Sequence, residues 1–254
     1  MSDVEIPAAQ VESAGASVEA PRSGPVLAIF AHPDDAEIAA GGTIATWTAA
    51  GREVHLLVLT NGDRGSQDPA LDRAELARLR ARETEAAADV LGLASVRLLD
   101  VHDGDLANTL EVREQVVRRI REVRAETVLS VDPTAVFFQN SYYNHSDHRT
   151  AGFVALDSAF PGSGNPHFFP EHLGEGIAVQ EVTDVWLGWT NEPNHTEDVT
   201  GTWQRKIDAL AKHDSQLSEG IRYFETFLLE EAEEAGKKIG VGRAEEFRRL
   251  DLTD

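Results

Sequence analysis

The chain has 254 residues, enough for one large domain with a sizeable core. Hydrophobic residues make up 41% and charged residues 26%, as in ordinary globular proteins, and no apolar run approaches the ~20 residues needed to cross a bilayer. With 44 acidic against 23 basic residues the formal charge is −21, which repels nucleic-acid phosphates and anionic membranes, and the absence of cysteine excludes disulfides and thiolate metal sites.

Residues 1–24 are rich in Ala, Ser, Glu and Pro and carry no sustained apolar period, so they read as a disordered or loosely attached tail. This acidic start lacks a basic region followed by an apolar one. It is therefore no secretory signal, and a cytoplasmic location is expected. From residue 25 to 254 one domain is expected. VLAIF (Val26 to Phe30) is a buried strand, and Ile38 to Ala50 is helical, ending at Gly51. EVHLLVLT (Glu53 to Thr60) is a second strand, followed by the loop NGDRGSQDP. LDRAELARLRARETEAAADVLG is a long helix stopped at Gly92, and SVRLLD is a third strand. Thr109 to Arg124 is a helix with Val112, Val116, Ile120 and Val123 on one face, and TVLSVDP is a fourth strand stopped by Pro133. TAGFVALDSAF is helical, FPGSGNPHFFPEHLG is a loop, and VTDVWLGW is a further strand. TWQRKIDALAKHDSQL is an amphipathic helix, and EGIRYFETFLLEEAEEAGKK continues as helix with a solvated acidic face. Strands alternating with helices in this way predict an α/β fold: a mostly parallel, Rossmann-like sheet covered on both faces. Ligands in such folds gather beyond the carboxyl ends of the strands. AHPDD, TNGDRG, DVHDGD and VDPTAVFFQNSYYNHSDH all fall there.

AHPDD admits two readings. Asp34 or Asp35 can cap the free N–H groups of the following helix. Alternatively His32 and one aspartate bind a metal while the other aspartate faces substrate, a division that suits hydrolysis. With no thiolates, such a metal must sit on His, Asp and Glu, which suits zinc or a harder divalent ion. HSDH also admits two readings. His145 and His148 are either exposed surface residues or two imidazoles in one cavity, one a ligand and one a proton donor or oxyanion stabiliser. Together on one rim, the two stretches give His, Asp and His with a spare carboxylate and a spare imidazole.

AHPDDAE, the GG helix after it, TNGDRG, NHSDHRTAG and later KIDALAKHDSQ resemble the LmbE-like (PIG-L) N-deacetylases over roughly residues 26–250. The resemblance implies a zinc enzyme that removes acetyl groups from N-acetylglucosamine-type substrates, with one Zn²⁺ per chain. It implies His32, Asp35 and His148 as ligands and Asp34 as the general base. It implies His145 as the group that stabilises the oxyanion or protonates the leaving amine, with Asp147 tuning it. It also implies substrate contacts for Arg80, paired with Glu83 in an RxxE pattern, and for Asp103. Two positions depart from the family: Ser146 stands where HPDH has proline, and Asp63-Arg64 replace the Glu-small pair of TxGExG. Arg64 is then an anion contact or a surface cation.

Members of the family are often trimers or hexamers, so self-association is an expectation that the resemblance alone carries. The alternative activity is amide cleavage of a thiol-sugar conjugate or an N-acylated natural product by the same residues. A non-catalytic Rossmann-like binding protein would show GxGxxG after the first strand, where this chain has HPDDAE. Among other residues, His55 reads as core, and His102, His167, His172 and His195 as loop residues, His195 being the strongest candidate of these for the pocket. His213 with Gln216 reads as support beneath the site. Tyr142, Tyr143, Trp186 and Trp189 are a sugar platform or core packing.

Overall fold

The apolar strand β1 (Val26–Phe30) lies at the centre of a seven-stranded sheet, fully buried along its length. β2 (Val54–Val58) and β3 (Ser95–Leu98) extend the sheet on one side of it. β4 (Thr127–Val131) pairs with its other side. These four strands are parallel, and the helices α1 (Asp35–Ala49), α2 (Arg73–Leu91) and α3 (Leu110–Glu122) connect them. The strand order reverses between β1 and β4, the crevice where α/β sheets bind ligands. This computed structural model describes residues 23–217 and 220–253. The tail expected over residues 1–24 therefore falls outside them up to residue 22.

Between β4 and the next helix, a short hairpin of β5 (Phe137–Phe138) and β6 (Tyr142–Tyr143) projects from the rim. α4 (Ser146–Asp157) begins within HSDH itself, earlier than expected, and runs into a π-helical turn over Ser158–Ser163. The short α5 (Glu171–Gly174) lies in the loop that follows. β7 (Asp184–Gly188) then joins β4 in parallel. β8 (His195–Asp198) occupies a stretch expected to be loop. α6 (Trp203–Leu210) is shorter than expected, and a 3₁₀ turn over Asp214–Gln216 follows it. α7 (Ile221–Ile239) precedes β9 (Ala244–Asp251), which sits antiparallel between β7 and β8. One apolar core layer packs β1, β2 and Trp186 against α1, α2 and α6, and a second packs the opposite face against α3 and α4. Helix ends follow the sequence: Asp72 and Thr109 cap α2 and α3, and Gly92 takes the left-handed conformation that stops α2.

α1 is broken at Ala40, which reads as continuous helix in the sequence. The backbone groups freed by the break go to two distant side chains. Lys206 Nζ donates to the Ile38 carbonyl at 2.9 Å. The Gly42 and Thr43 amides donate to the Glu245 carboxylate at 3.0 and 2.8 Å. Lys206 and Glu245 are both buried and pair at 2.6 Å. The GG pair is what admits them: a Cβ at Gly41 would lie 2.9 Å from Lys206 Cγ, and one at Gly42 would lie 2.7 Å from Val199 Cβ. Removing one partner of a buried pair leaves an uncompensated charge. Lys206→Met should therefore lower stability by about 3–5 kcal/mol in chemical denaturation. The double variant Lys206→Met/Glu245→Gln should recover part of that loss, and a single variant as stable as the parent would contradict the pairing.

Candidate metal centre and active site

Two loop ends meet at the crevice between β1 and β4. His32 follows β1 directly, and Asp35 opens α1. His148 lies on the first turn of α4. His32 Nδ1 is 3.1 Å from His148 Nε2 and 3.5 Å from Asp35 Oδ2, while His148 Nε2 is 3.2 Å from Asp35 Oδ1. Zinc–nitrogen and zinc–oxygen bonds of ~2.0–2.1 Å in a tetrahedral site imply ligand–ligand edges of about 3.3–3.4 Å. The two imidazoles meet at such an edge, with one Asp35 oxygen facing each of them, and His145 brings a third ring nitrogen within metal-binding reach of both. Each imidazole is also oriented through its other nitrogen. His148 Nδ1 meets Asn144 Oδ1 at 2.9 Å, and His32 Nε2 faces Asp103 Oδ1 at 3.1 Å and Asp147 Oδ2 at 3.4 Å. The Asn144 side-chain oxygen accepts from His148 Nδ1, which leaves the lone pair on Nε2 facing His32 and Asp35.

Electrostatics agree with a cation here. Burial alone would lower the His32 pKa, but Asp35, Asp103 and Asp147 outweigh it and lift it to about 12. A ring of carboxylates around an imidazole attracts a proton unless a cation takes its place. Burial would raise Asp35, yet His148 and His32 hold it well below the usual carboxylate range.

Asp34 is the residue just before α1, with φ of +108°, and its side chain makes no helix-capping bond. The capping alternative therefore does not describe it; its carboxylate faces Arg80 at 3.3 Å. A non-glycine residue in such backbone geometry costs of order 1–3 kcal/mol and persists where surrounding contacts enforce it. Burial pushes the Asp34 pKa up to about 6, against the pull of Arg80. That is a suitable range for a base working near neutrality.

His145 caps α4. Its Nδ1 accepts from the Asp147 amide at 3.2 Å, which leaves the ring proton on Nε2. Its ring centroid is 4.9 Å from that of His32, and its nitrogen lies within reach of the His32 and His148 nitrogens. Burial, and then the charge of His32, lower its pKa against the pull of Asp147.

Four further expected residues lie around this set. Asp147 was expected to tune His145: its amide donates to that ring, and the charge of its carboxylate raises the His145 pKa. The carboxylate accepts from Gly104 N at 2.6 Å and faces His32, because the 103–105 loop closes over it. Asp103, expected at sugar hydroxyls, turns inward onto His32. Arg80, expected to reach substrate, is 3% exposed. It donates to the Pro33 and Gly62 carbonyls besides facing Asp34, so its guanidinium is held beneath the site. Arg64 pairs in a bidentate fork with Asp105 at 2.7 and 2.8 Å and donates to the Asp103 carbonyl, so it staples the loop. Asp63 does the same from within, accepting from the Asp103 amide and meeting His102.

His172 is buried between Arg121 and Glu114, and His55 is buried beside Ser95, both away from the metal ligands. His195 packs in β8 against Trp186, which is core, and the exposed hairpin carries Tyr142 and Tyr143. Trp189 lies 4.9 Å from His148, ring to ring. The reading of residue types missed Asn144. Its only signal was a polar residue one helical turn before His148.

The sequence profile of the GlcNAc-PI de-N-acetylase (PIG-L) family matches residues 27–159. Diacetylchitobiose deacetylase of Thermococcus kodakarensis is 35% identical over 88% of this chain and 82% of its own length. A 1D-myo-inositol 2-acetamido-2-deoxy-alpha-D-glucopyranoside deacetylase of Mycolicibacterium smegmatis is 33% identical over 80% of this chain and 82% of its own. Among solved structures, the N,N'-diacetylchitobiose deacetylase of Pyrococcus horikoshii superposes with a TM-score of 0.82 at 33% identity, covering 89% of this chain and 84% of that one.

Ligands must be deprotonated to bind metal. With its pKa at about 12, His32 is protonated at pH 7 in the metal-free protein. Metal uptake at pH 7 should therefore release about one proton per ion, read by titration calorimetry in buffers of different ionisation enthalpy. Release near zero would contradict the assignment. His32→Ala and His148→Ala should each abolish stoichiometric metal in elemental analysis.

Proposed function

The chain belongs to the GlcNAc-PI de-N-acetylase (PIG-L) family, and on that premise we propose that it is a metal-dependent N-deacetylase of an N-acetylglucosamine-type substrate. The observation that carries this reading is the three-cornered set of His32 Nδ1, Asp35 and His148 Nε2, with Asp34 beside it. The relatives named above act on acetylated aminosugars, which supports the substrate class. A His₂Asp set without thiolates suits Zn²⁺ best, with other divalent ions able to replace it.

When bound, the ion supplies Lewis-acid polarisation of the amide carbonyl and makes water acidic enough to attack near neutral pH. The residues do the rest. Asp34 accepts the proton of the attacking water. Its raised pKa leaves it ionised at neutral pH yet basic enough to hold that proton. His145, with its single ring proton on Nε2, donates a hydrogen bond toward the developing oxyanion. The proton on Asp34 then passes to the departing amine, because the His145 proton is engaged as a donor. Asn144 keeps His148 oriented throughout.

Asp34→Asn should keep its metal and lose roughly 10²–10⁴-fold in kcat, measured as acetate released from a panel of N-acetylated aminosugars that includes diacetylchitobiose. Full activity in that variant would refute the base assignment, and a parent protein inactive on the whole panel would refute the substrate class.

A further inference from the structure

The sequence DDAE places three carboxylates within four residues at the start of α1, and each has its own counter-group. Asp35 faces His148 and His32 at 3.2 and 3.5 Å. Asp34 faces Arg80 at 3.3 Å. Glu37 Oε2 faces His213 Nε2 at 3.4 Å, and both of these side chains are completely buried. The chemistry derived above makes no use of this last pair. Neither oxygen of Glu37 and neither ring nitrogen of His213 has a well-directed hydrogen bond. A buried pair left in that state is a poor way to fill a core, since apolar residues of similar volume would serve packing better. Its place in the fold offers a different reason for it.

His213 opens the 213–216 turn, whose Gln216 amide donates back to the His213 carbonyl at 2.9 Å. Glu83 of α2 clamps the same turn, accepting from Ser215 N at 2.8 Å and Ser215 Oγ at 2.6 Å. One turn earlier on α2, Arg80 holds the Pro33 carbonyl and the Asp34 carboxylate. The contacts form a closed ring: Asp34, Arg80, α2, Glu83, the 213–216 turn, His213, Glu37 and back along α1 to Asp34. Burial opposes a charge on His213, and Glu37 followed by Asp34 outweighs it, so the imidazole binds its proton more tightly than usual. We infer that Glu37 and His213 are positioning residues for the Asp34 carboxylate: their buried contact closes this ring and holds Asp34 in its left-handed conformation beside the metal ligands. The inference rests on Asp34 being the base.

The test compares His213→Phe, His213→Gln and Glu37→Gln with the parent, each loaded with zinc, on the aminosugar panel. His213→Phe and Glu37→Gln should keep full metal and a KM close to that of the parent while kcat falls roughly 10–100-fold, the loss typical of such supporting contacts. His213→Gln keeps a donor toward Glu37 and should recover most of the kcat lost in His213→Phe. In an Asp34→Asn background, His213→Phe should cost nothing further. Independently of turnover, hydrogen exchange of the metal-free protein should quicken about 10-fold across residues 31–42 in His213→Phe, with α3 unchanged. Unchanged kcat per bound metal, a full further loss on Asp34→Asn, or unchanged exchange over 31–42 would each overturn the inference. If His213→Phe does not fold, Glu37→Gln decides by the same measurements. If the parent hydrolyses no member of the panel, the exchange measurement alone decides this inference, and the deacetylase reading fails separately.

Discussion

Like charges packed at the buried end of a strand repel strongly, because the low-dielectric interior screens them little. Asp34, Asp35 and Glu37 create that situation directly after β1, and Asp103 and Asp147 add to it from neighbouring loops. Such a cluster survives only when cations or donors reach it from elsewhere. Here they come from α2 as Arg80, from α4 as His148, and from the turn after α6 as His213. The cluster thus accounts for contacts that otherwise look unrelated. One arrangement both neutralises the acidic strand end and brings His32, Asp35 and His148 together.

Sheet order makes this possible. The chain builds β1, β2 and β3 outward in one direction and returns to lay β4 against the other side of β1. HPDD and HSDH, far apart in sequence, become the two lips of the crevice opened by that reversal. Loops after β2 and β3 close it from one side, with Asp63 and Arg64 tying down the Asp103 backbone. On the other side, Thr190 after β7 donates to Asp132 after β4 at 2.6 Å.

The alternation of apolar strands and amphipathic helices made β1 to β4, α1 to α4 and β7 legible from residue types. So were the strand-end histidines and aspartates, because His and Asp at such positions are chemically conspicuous. The antiparallel strands β8 and β9 were not legible. HTED in β8 and AEEFRRLD in β9 are largely charged and half-buried, so they lack the apolar run that marks a strand. The break in α1 was hidden for another reason: it depends on Lys206 and Glu245, which nothing local announces. The partners of Arg80, Asp103 and Arg64 were hidden in the same way. An arginine or aspartate in a motif does not disclose which way it faces, and their partners, Asp34, His32 and Asp105, are set by tertiary contacts.

The Glu245 carboxylate in β9 caps amides in the first helix of the sheet. Chains emerge from the ribosome N-terminus first, at ~5–20 residues per second, and begin to fold as they emerge. HPDD and HSDH are therefore both outside long before residue 245 exists. During that interval the amides at the α1 break have no acceptor and Lys206 has no counter-charge. The break in α1 gains its partners only when β9 slots between β7 and β8, so that part of the rim is completed after HPDD and HSDH have both been made.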